Sequence, residues 1–255
     1  MIIDTHTHIY LPNFKDTIDE VMARANTVGV SRFYLPAIDS TSFDDLLQLE
    51  NKYPLQCFAM AGLHPCSVGA NVATELNYVH QQLQQRKFVA IGEIGLDLYW
   101  DKTYEQQQLQ AFTTQMQWAL EYNIPISIHT RNAMALTIQA VKPFANKGLR
   151  GIFHCFGGSI ETANEIINMG FLLGIGGVVT YKNAGLAEVV AQLDIKHLVL
   201  ETDAPYLTPV PNRSKPNEPS YLVHIIEKIA ILKNISVAEV AEATTANALQ
   251  LFHKS

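Results

Sequence analysis

The sequence predicts a (β/α)8 TIM barrel of class α/β, formed as one domain over residues 1–255. Three observations predict it. Eight short apolar runs recur along the chain, separated by longer stretches with helical periodicity. At 255 residues, 48% hydrophobic and 16% charged, the chain can bury a large core, and strand–helix barrels reach this size as single units. An open doubly wound sheet, the structural alternative, calls for a Gly-rich phosphate loop after the first strand, and THTHIYLP is no such loop.

The elements follow in order. Residues 2–5 are the first apolar run, and 16–28 the first helical stretch, with Gly29 at its end. Strand 33–37 leads to helix 43–52, and strand 56–61 to helix 75–86. Strand 88–92 precedes helix 104–122, for which Thr103 is the candidate N-cap and Asn123 the terminus. Strand 125–129 precedes helix 133–141. Strand 151–154 precedes helix 160–169, capped by Ser159 and ended by Gly170. Strand 171–175, helix 186–193 and strand 197–201 complete the eight units, and helices 221–232 and 237–252, the latter capped by Ser236, close the chain. The run QQLQQ reads as a polar helix face.

A net charge of −6 argues against bulk electrostatic attachment to nucleic acid or anionic membrane, while leaving room for a local basic mouth. No apolar run reaches membrane-spanning length and no basic-then-apolar leader precedes the first strand. Cys57, Cys66 and Cys155 are odd in number and lack CxxC spacing. A reduced, cytoplasmic setting is expected, with no membrane association and no protein partner.

The candidate site follows from the barrel, whose reactive groups lie at the C-terminal strand ends. His6 and His8, two apart on the first strand, would share a face there. An HxH pair alone reads equally as two hydrogen-bonded structural histidines. The other strand ends add Glu93 (VAIGEIGLD), His129 (PISIHTR), His154 (GIFHCFGG) and Asp203 (LVLETDAPY). Four imidazoles and two carboxylates exceed one tetrahedral site and suit two divalent ions sharing a bridge. Glu93, between the two histidine pairs in barrel order, is the expected bridge. One ion would take His6, His8, Glu93 and Asp203, and the other Glu93, His129 and His154.

These motifs resemble the TatD-like metal-dependent hydrolases, the TatD deoxyribonucleases among the amidohydrolase-type barrels. The likeness runs through DTHTH, GLHP, IGEIGLD, IHTR, FHCFGGS, GIGG, VLETDAPYL, RSKPNEP and TTANALQLF. It implies phosphodiester hydrolysis, most often 3′-to-5′ exonuclease action on DNA, and its metal ligands map onto the same six residues. Two departures are Gly157, where the family more often has serine, and Ser214, where it more often has glycine. Neither is a ligand position.

Further roles follow. Asp203 is the expected general base for a water activated by divalent metal. Glu201 either supports a ligand from behind or forms a structural ion pair. His64 either contacts phosphate or protonates a leaving oxygen, or is a loop histidine fixed by Pro65. Arg131 either clamps phosphate or makes a salt bridge at a helix start. Arg213 and Lys215 either add positive charge at the mouth or sit in a solvated loop. Cys155 is expected on the far face of its strand as a small buried hydrophobe. His80, His197, His224 and His253 read as structural or solvent-exposed.

Ligand chemistry favours zinc or manganese, whereas the resemblance points to magnesium. The leading expectation is a metal-dependent deoxyribonuclease that binds DNA weakly at single-stranded 3′ ends. A barrel hydrolase of a lactone, phosphotriester or cyclic amide is the alternative, although many of those enzymes bridge their metals with a carboxylated lysine where GEIG offers glutamate. A non-enzymatic metal-binding module is the third class, and the intact ligand set argues against it.

Overall fold

Eight parallel strands alternate with helices in a computed structural model that describes residues 1–252. The strands are β1 (Ile2–Asp4), β2 (Val30–Leu35), β3 (Cys57–Ala59), β4 (Ile91–Asp97), β5 (Ile126–Arg131), β6 (Gly151–Phe153), β7 (Leu172–Ile175) and β8 (Leu198–Leu200). The helices are α1 (Ile18–Thr27), α2 (Phe43–Lys52), α3 (Val72–Gln85), α4 (Glu105–Tyr122), α5 (Met134–Ala145), α6 (Ile160–Asn168), α7 (Leu186–Gln192), α8 (Leu222–Lys233) and α9 (Val237–Phe252). Two parallel ladders, β1-β2-β3 and β4-β5-β6-β7-β8, make up the wall. Backbone bonds close it into a ring. Gly92 N donates to Ala61 O (3.0 Å) at one seam, and Thr5 N to Leu200 O (2.9 Å) at the other.

The main apolar core lies between the helices and the strand ring. It includes Phe33, Phe112, Phe153 and Ile225, all fully buried. A smaller cluster joins Ile3, Tyr34, Ile152 and Val199 to Ala248, Leu251 and Phe252 of α9. Thr245 of α9 donates to Met1 O, and Asn247 donates to Ile195 O and Leu198 O, carbonyls at the N-terminal ends of β1 and β8. The Phe252 ring stacks on Tyr34 at 3.8 Å, so α9 packs against that end of the ring. The opposite, C-terminal end is left to polar side chains.

Side-chain capping bonds form at the starts of α6 and α9. Ser159 Oγ accepts from Thr162 N at the start of α6. Ser236 and Glu239 exchange hydrogen bonds at the start of α9, a capping box. Asn123 ends α4 in the left-handed region at φ 52°. Thr103 is not a cap, because α4 begins after Tyr104. Helix α5 outruns the expected end at residue 141 and carries Pro143 within its last turn.

Two strand expectations need correction. First, β1 ends at Asp4, so His6 and His8 lie in the following segment rather than on the strand. That segment is tied on both sides, Thr7 N donating to Tyr34 O (3.1 Å) and His8 N to Ala204 O (2.9 Å). Convergence of the two imidazoles therefore comes from these ties and not from strand alternation. Second, β4 extends to Asp97, which puts Glu93 inside the strand at a register shift between Ile91 and Ile94. Gly95 makes that path possible: its φ is +146° and a Cβ there would lie 1.9 Å from His129 O.

Candidate metal centre

Glu93 stands at the centre of the C-terminal mouth, 2% exposed, with imidazoles around both of its carboxylate oxygens. Oε2 lies 3.1 Å from His6 Nε2 and 3.3 Å from His8 Nε2. Oε1 lies 2.8 Å from His129 Nδ1, 3.2 Å from His64 Nε2 and 3.4 Å from His154 Nε2. Asp203, at φ 57°, brings Oδ1 to 3.8 Å from His6 Nε2 and 3.6 Å from His8 Nε2. All six residues expected as ligands thus converge, and His64 joins them.

The ring orientations are held from behind. Tyr10 OH donates to Pro36 O (2.7 Å), so it accepts from His8 Nδ1 (3.1 Å). His8 Nε2 is then left with its lone pair toward Glu93 and Asp203. His129 Nε2 faces Asp97 Oδ2 at 2.9 Å, which leaves Nδ1 for Glu93. His6 Nδ1 meets Ser127 Oγ at 3.0 Å. Glu201 Oε1 accepts from Cys155 N and lies 3.3 Å from His154 Nδ1. His154 Nδ1 and Glu201 Oε2 are nonetheless buried without a hydrogen-bond partner among the described residues. Gly174 makes room for Glu201, since a Cβ there would lie 2.2 Å from Oε2.

Electrostatics match this packing. Burial pushes the His6 imidazole down to about 3, keeping it neutral. Burial also works against the ionised form of Glu93, but His64, His6 and His154 outweigh it and hold the carboxyl well below its usual range. Burial raises the Asp203 carboxyl to about 6. For His129, burial opposes protonation, but the hydrogen bonds to Asp97 and Glu93 outweigh it and raise its pKa.

The donor set suits divalent cations. His6 Nε2 and His8 Nε2 face each other at 3.3 Å beside two carboxylates, an electron-rich pocket that cations satisfy better than protons. Ligand atoms fall into overlapping groups: His6, His8 and Asp203; His6, Glu93 and His154; and His64, Glu93 and His129. The last includes His64, for which the sequence offered a phosphate contact, a proton donor to a leaving oxygen or a loop histidine fixed by Pro65.

Other expectations divide. Arg131 is exposed at the end of β5 and lines the mouth cavity of about 790 Å³. Among the described residues it has no carboxylate partner; its guanidinium lies 4.0 Å from the Tyr99 ring centroid and 5.1 Å from that of Trp100. Arg213 instead packs 3.9 Å over the Tyr181 ring and donates to the Tyr181 hydroxyl. Neither it nor Lys215 lines this cavity. Cys155 lines the cavity rather than lying on a far strand face, because β6 ends at Phe153 and Cys155 turns to φ 46°. Burial pushes its thiol well up, so it is protonated. His80 stacks on Trp118, and His224 Nε2 meets Asn212 Nδ2 at 3.1 Å. His197 ends a short 3-10 turn before β8. His253 lies outside the described residues.

Asp97 and Tyr10 were not singled out in the sequence. The signal for Asp97 is period two, since Glu93, Gly95 and Asp97 share a strand face once β4 runs past residue 92. Tyr10 carries no comparable signal.

Comparisons with known proteins identify the family. The family described as TatD related DNase matches residues 3–253. An uncharacterised metal-dependent hydrolase of Bacillus subtilis, YabD, is 38% identical over 253 residues, 99% of each chain. A protein named 3′-5′ ssDNA/RNA exonuclease TatD, from Salmonella typhimurium, is 33% identical over 257 residues, 98% of each chain. The crystal structure of YjjV, a TatD homologue from Escherichia coli, superimposes with a TM-score of 0.93 at 30% identity, covering 99% of this chain and 98% of that one. No helix among the described residues is long and apolar enough to cross a membrane. With the family matching nearly end to end and a mouth built from buried imidazoles and carboxylates, this chain belongs to the TatD-related DNase family of metal-dependent hydrolases.

Proposed function

We propose that the protein is a deoxyribonuclease that trims single-stranded DNA from its 3′ end. The observation that carries this reading is Glu93, whose two oxygens are approached by separate groups of imidazoles inside a concave mouth. Two divalent ions would be held there, one by His6, His8, Glu93 and Asp203, the other by Glu93, His129, His154 and His64. Such ions supply Lewis-acid activation of water and neutralise charge on the phosphoryl group. Asp203 accepts the proton of the attacking water, and burial raises its carboxyl toward the working range of a general base. Arg131 holds a phosphate oxygen at the rim. Burial lowers the pKa of His64, which favours metal holding over acid catalysis. The exonuclease name of the Salmonella relative supports the same substrate. The free state of all three cysteines supports a cytoplasmic setting.

Duplex binding should be weak, because the chain is acidic and Arg131 is the one lysine or arginine among the described residues that line the mouth. A single phosphate contact predicts a shallow salt slope of about −0.7 on single strands. An end-labelled time course tests the reading. Progressive release of mononucleotides from a free 3′ end is expected, with Arg131→Ala losing more activity than Lys215→Ala. Rapid nicking of closed circular duplex without end preference would overturn the exonuclease assignment. Turnover of a lactone or amide, with no cleavage of nucleic acid under several metals, would move the protein to the other hydrolase class.

A further inference from the structure

Beyond Asp97 the β4 strand runs into two exposed aromatic residues, Tyr99 at 52% and Trp100 at 70% exposure. A solitary exposed tryptophan needs no explanation. This one has a specific setting. It lines the cavity that holds Glu93 and His129. Its ring meets Tyr99 at 4.8 Å and 87°, and at 70% exposure most of the indole surface stays open to solvent. The Arg131 guanidinium lies against the same pair.

The loop is also tied to the centre by one carboxylate. Asp97 Oδ1 accepts from Tyr99 N (3.0 Å) and Trp100 N (3.4 Å), while Oδ2 faces His129 Nε2 (2.9 Å). The backbone that carries the indole is thereby registered to the reacting end of the cavity. A flat, apolar, electron-rich face beside a guanidinium free of carboxylates matches one chemistry: a nucleobase attached to a phosphate. Base–aromatic stacking tolerates any sequence, because every base has a π face.

We infer that Trp100 is a stacking platform for a base near the 3′ terminus, with Arg131 holding the attached phosphate. The inference rests on the phosphodiesterase reading and narrows it to substrates that carry bases.

The test compares two single-stranded oligonucleotides with the same backbone, one with normal 3′-terminal nucleotides and one whose two terminal residues are abasic. The wild-type holoenzyme should favour the normal end by about tenfold in kcat/KM, the size of one stacking contact. Trp100→Ala should bring that ratio close to one, and Trp100→Phe should keep part of it. General damage to the metal centre would slow both substrates and leave the ratio intact.

A second readout is spectroscopic. Trp100 and Trp118 are the two tryptophans, and Trp118 is half-buried against His80. In a Trp118→Phe protein the emission of Trp100 should be quenched by a phosphorothioate-linked oligonucleotide and not by its abasic counterpart. Wild-type cleavage with a ratio that Trp100→Ala does not change overturns the platform and leaves the nuclease reading standing. Unchanged emission when anisotropy shows the oligonucleotide bound does the same. A change in oligomeric mass on Trp100→Ala, with the ratio unchanged, assigns the ring to a protein contact instead. Cleavage of neither oligonucleotide by wild type overturns both readings.

Discussion

Asp97→Asn isolates one hydrogen bond of the centre. In the native protein Asp97 Oδ2 faces His129 Nε2 at 2.9 Å, and Oδ1 accepts from Tyr99 N at 3.0 Å. Asparagine can keep its one carbonyl oxygen on Tyr99 N, which presents its amide N–H2 to His129. Nε2 must then carry the lone pair and Nδ1 the proton. Nδ1 is the atom 2.8 Å from Glu93 Oε1, so the nitrogen facing the centre loses its donor pair. A hydrogen bond to a charged group contributes about 1.5–3 kcal/mol. At about 1.4 kcal/mol per decade that is roughly one to two orders of magnitude. The same range, about 10- to 100-fold, is typical for groups that orient a metal-binding histidine. Metal affinity by calorimetry and kcat/KM on an oligonucleotide should both fall by that amount. The turn at Tyr99 survives, so Tm should move by no more than about 4 °C. Metal affinity and activity both within twofold of wild type would refute the claim that Asp97 sets the His129 tautomer.

Three further outcomes are expected. Glu93→Gln should lose activity by orders of magnitude with the fold intact, because an amide cannot supply the charge shared between the two halves of the centre; near wild-type turnover with full metal content would remove Glu93 from the bridge. The His6→Ala/His8→Ala double variant should lose about one metal equivalent per chain by elemental analysis, with little change in circular dichroism; retention of all bound metal would make the two imidazoles structural. Chelation of the native protein should abolish hydrolysis and lower Tm, since cations that bind only the folded state stabilise it by mass action; re-addition of zinc, manganese and magnesium in separate samples then ranks the metals by recovered activity and Tm.

What the sequence by itself determined was the order of elements and the identity of the converging side chains. Eight apolar runs and their intervening amphipathic stretches specify a parallel barrel, because alternating strands and helices must bury both faces of the sheet. That architecture sends strand ends to one mouth, so His129, His154 and Asp203 were legible as soon as the strands were counted. Glu93 and the first histidine pair were legible as candidates but not in their backbone setting. Only long-range hydrogen bonds hold the segment after β1 between β2 and the loop following β8, and only the close approach of Gly95 to His129 O carries β4 on to Asp97. The grouping of imidazoles around the separate oxygens of Glu93, the inclusion of His64, and the support from Tyr10 and Asp97 depend on atoms far apart in the chain meeting at hydrogen-bond range. The same holds for the arginines expected at the mouth. Arg131 and Arg213 look alike as sequence, but one lies against the Tyr99–Trp100 rim and the other against Tyr181. Local pattern sets which groups reach the mouth, and packing across the barrel decides which atoms of those groups face one another.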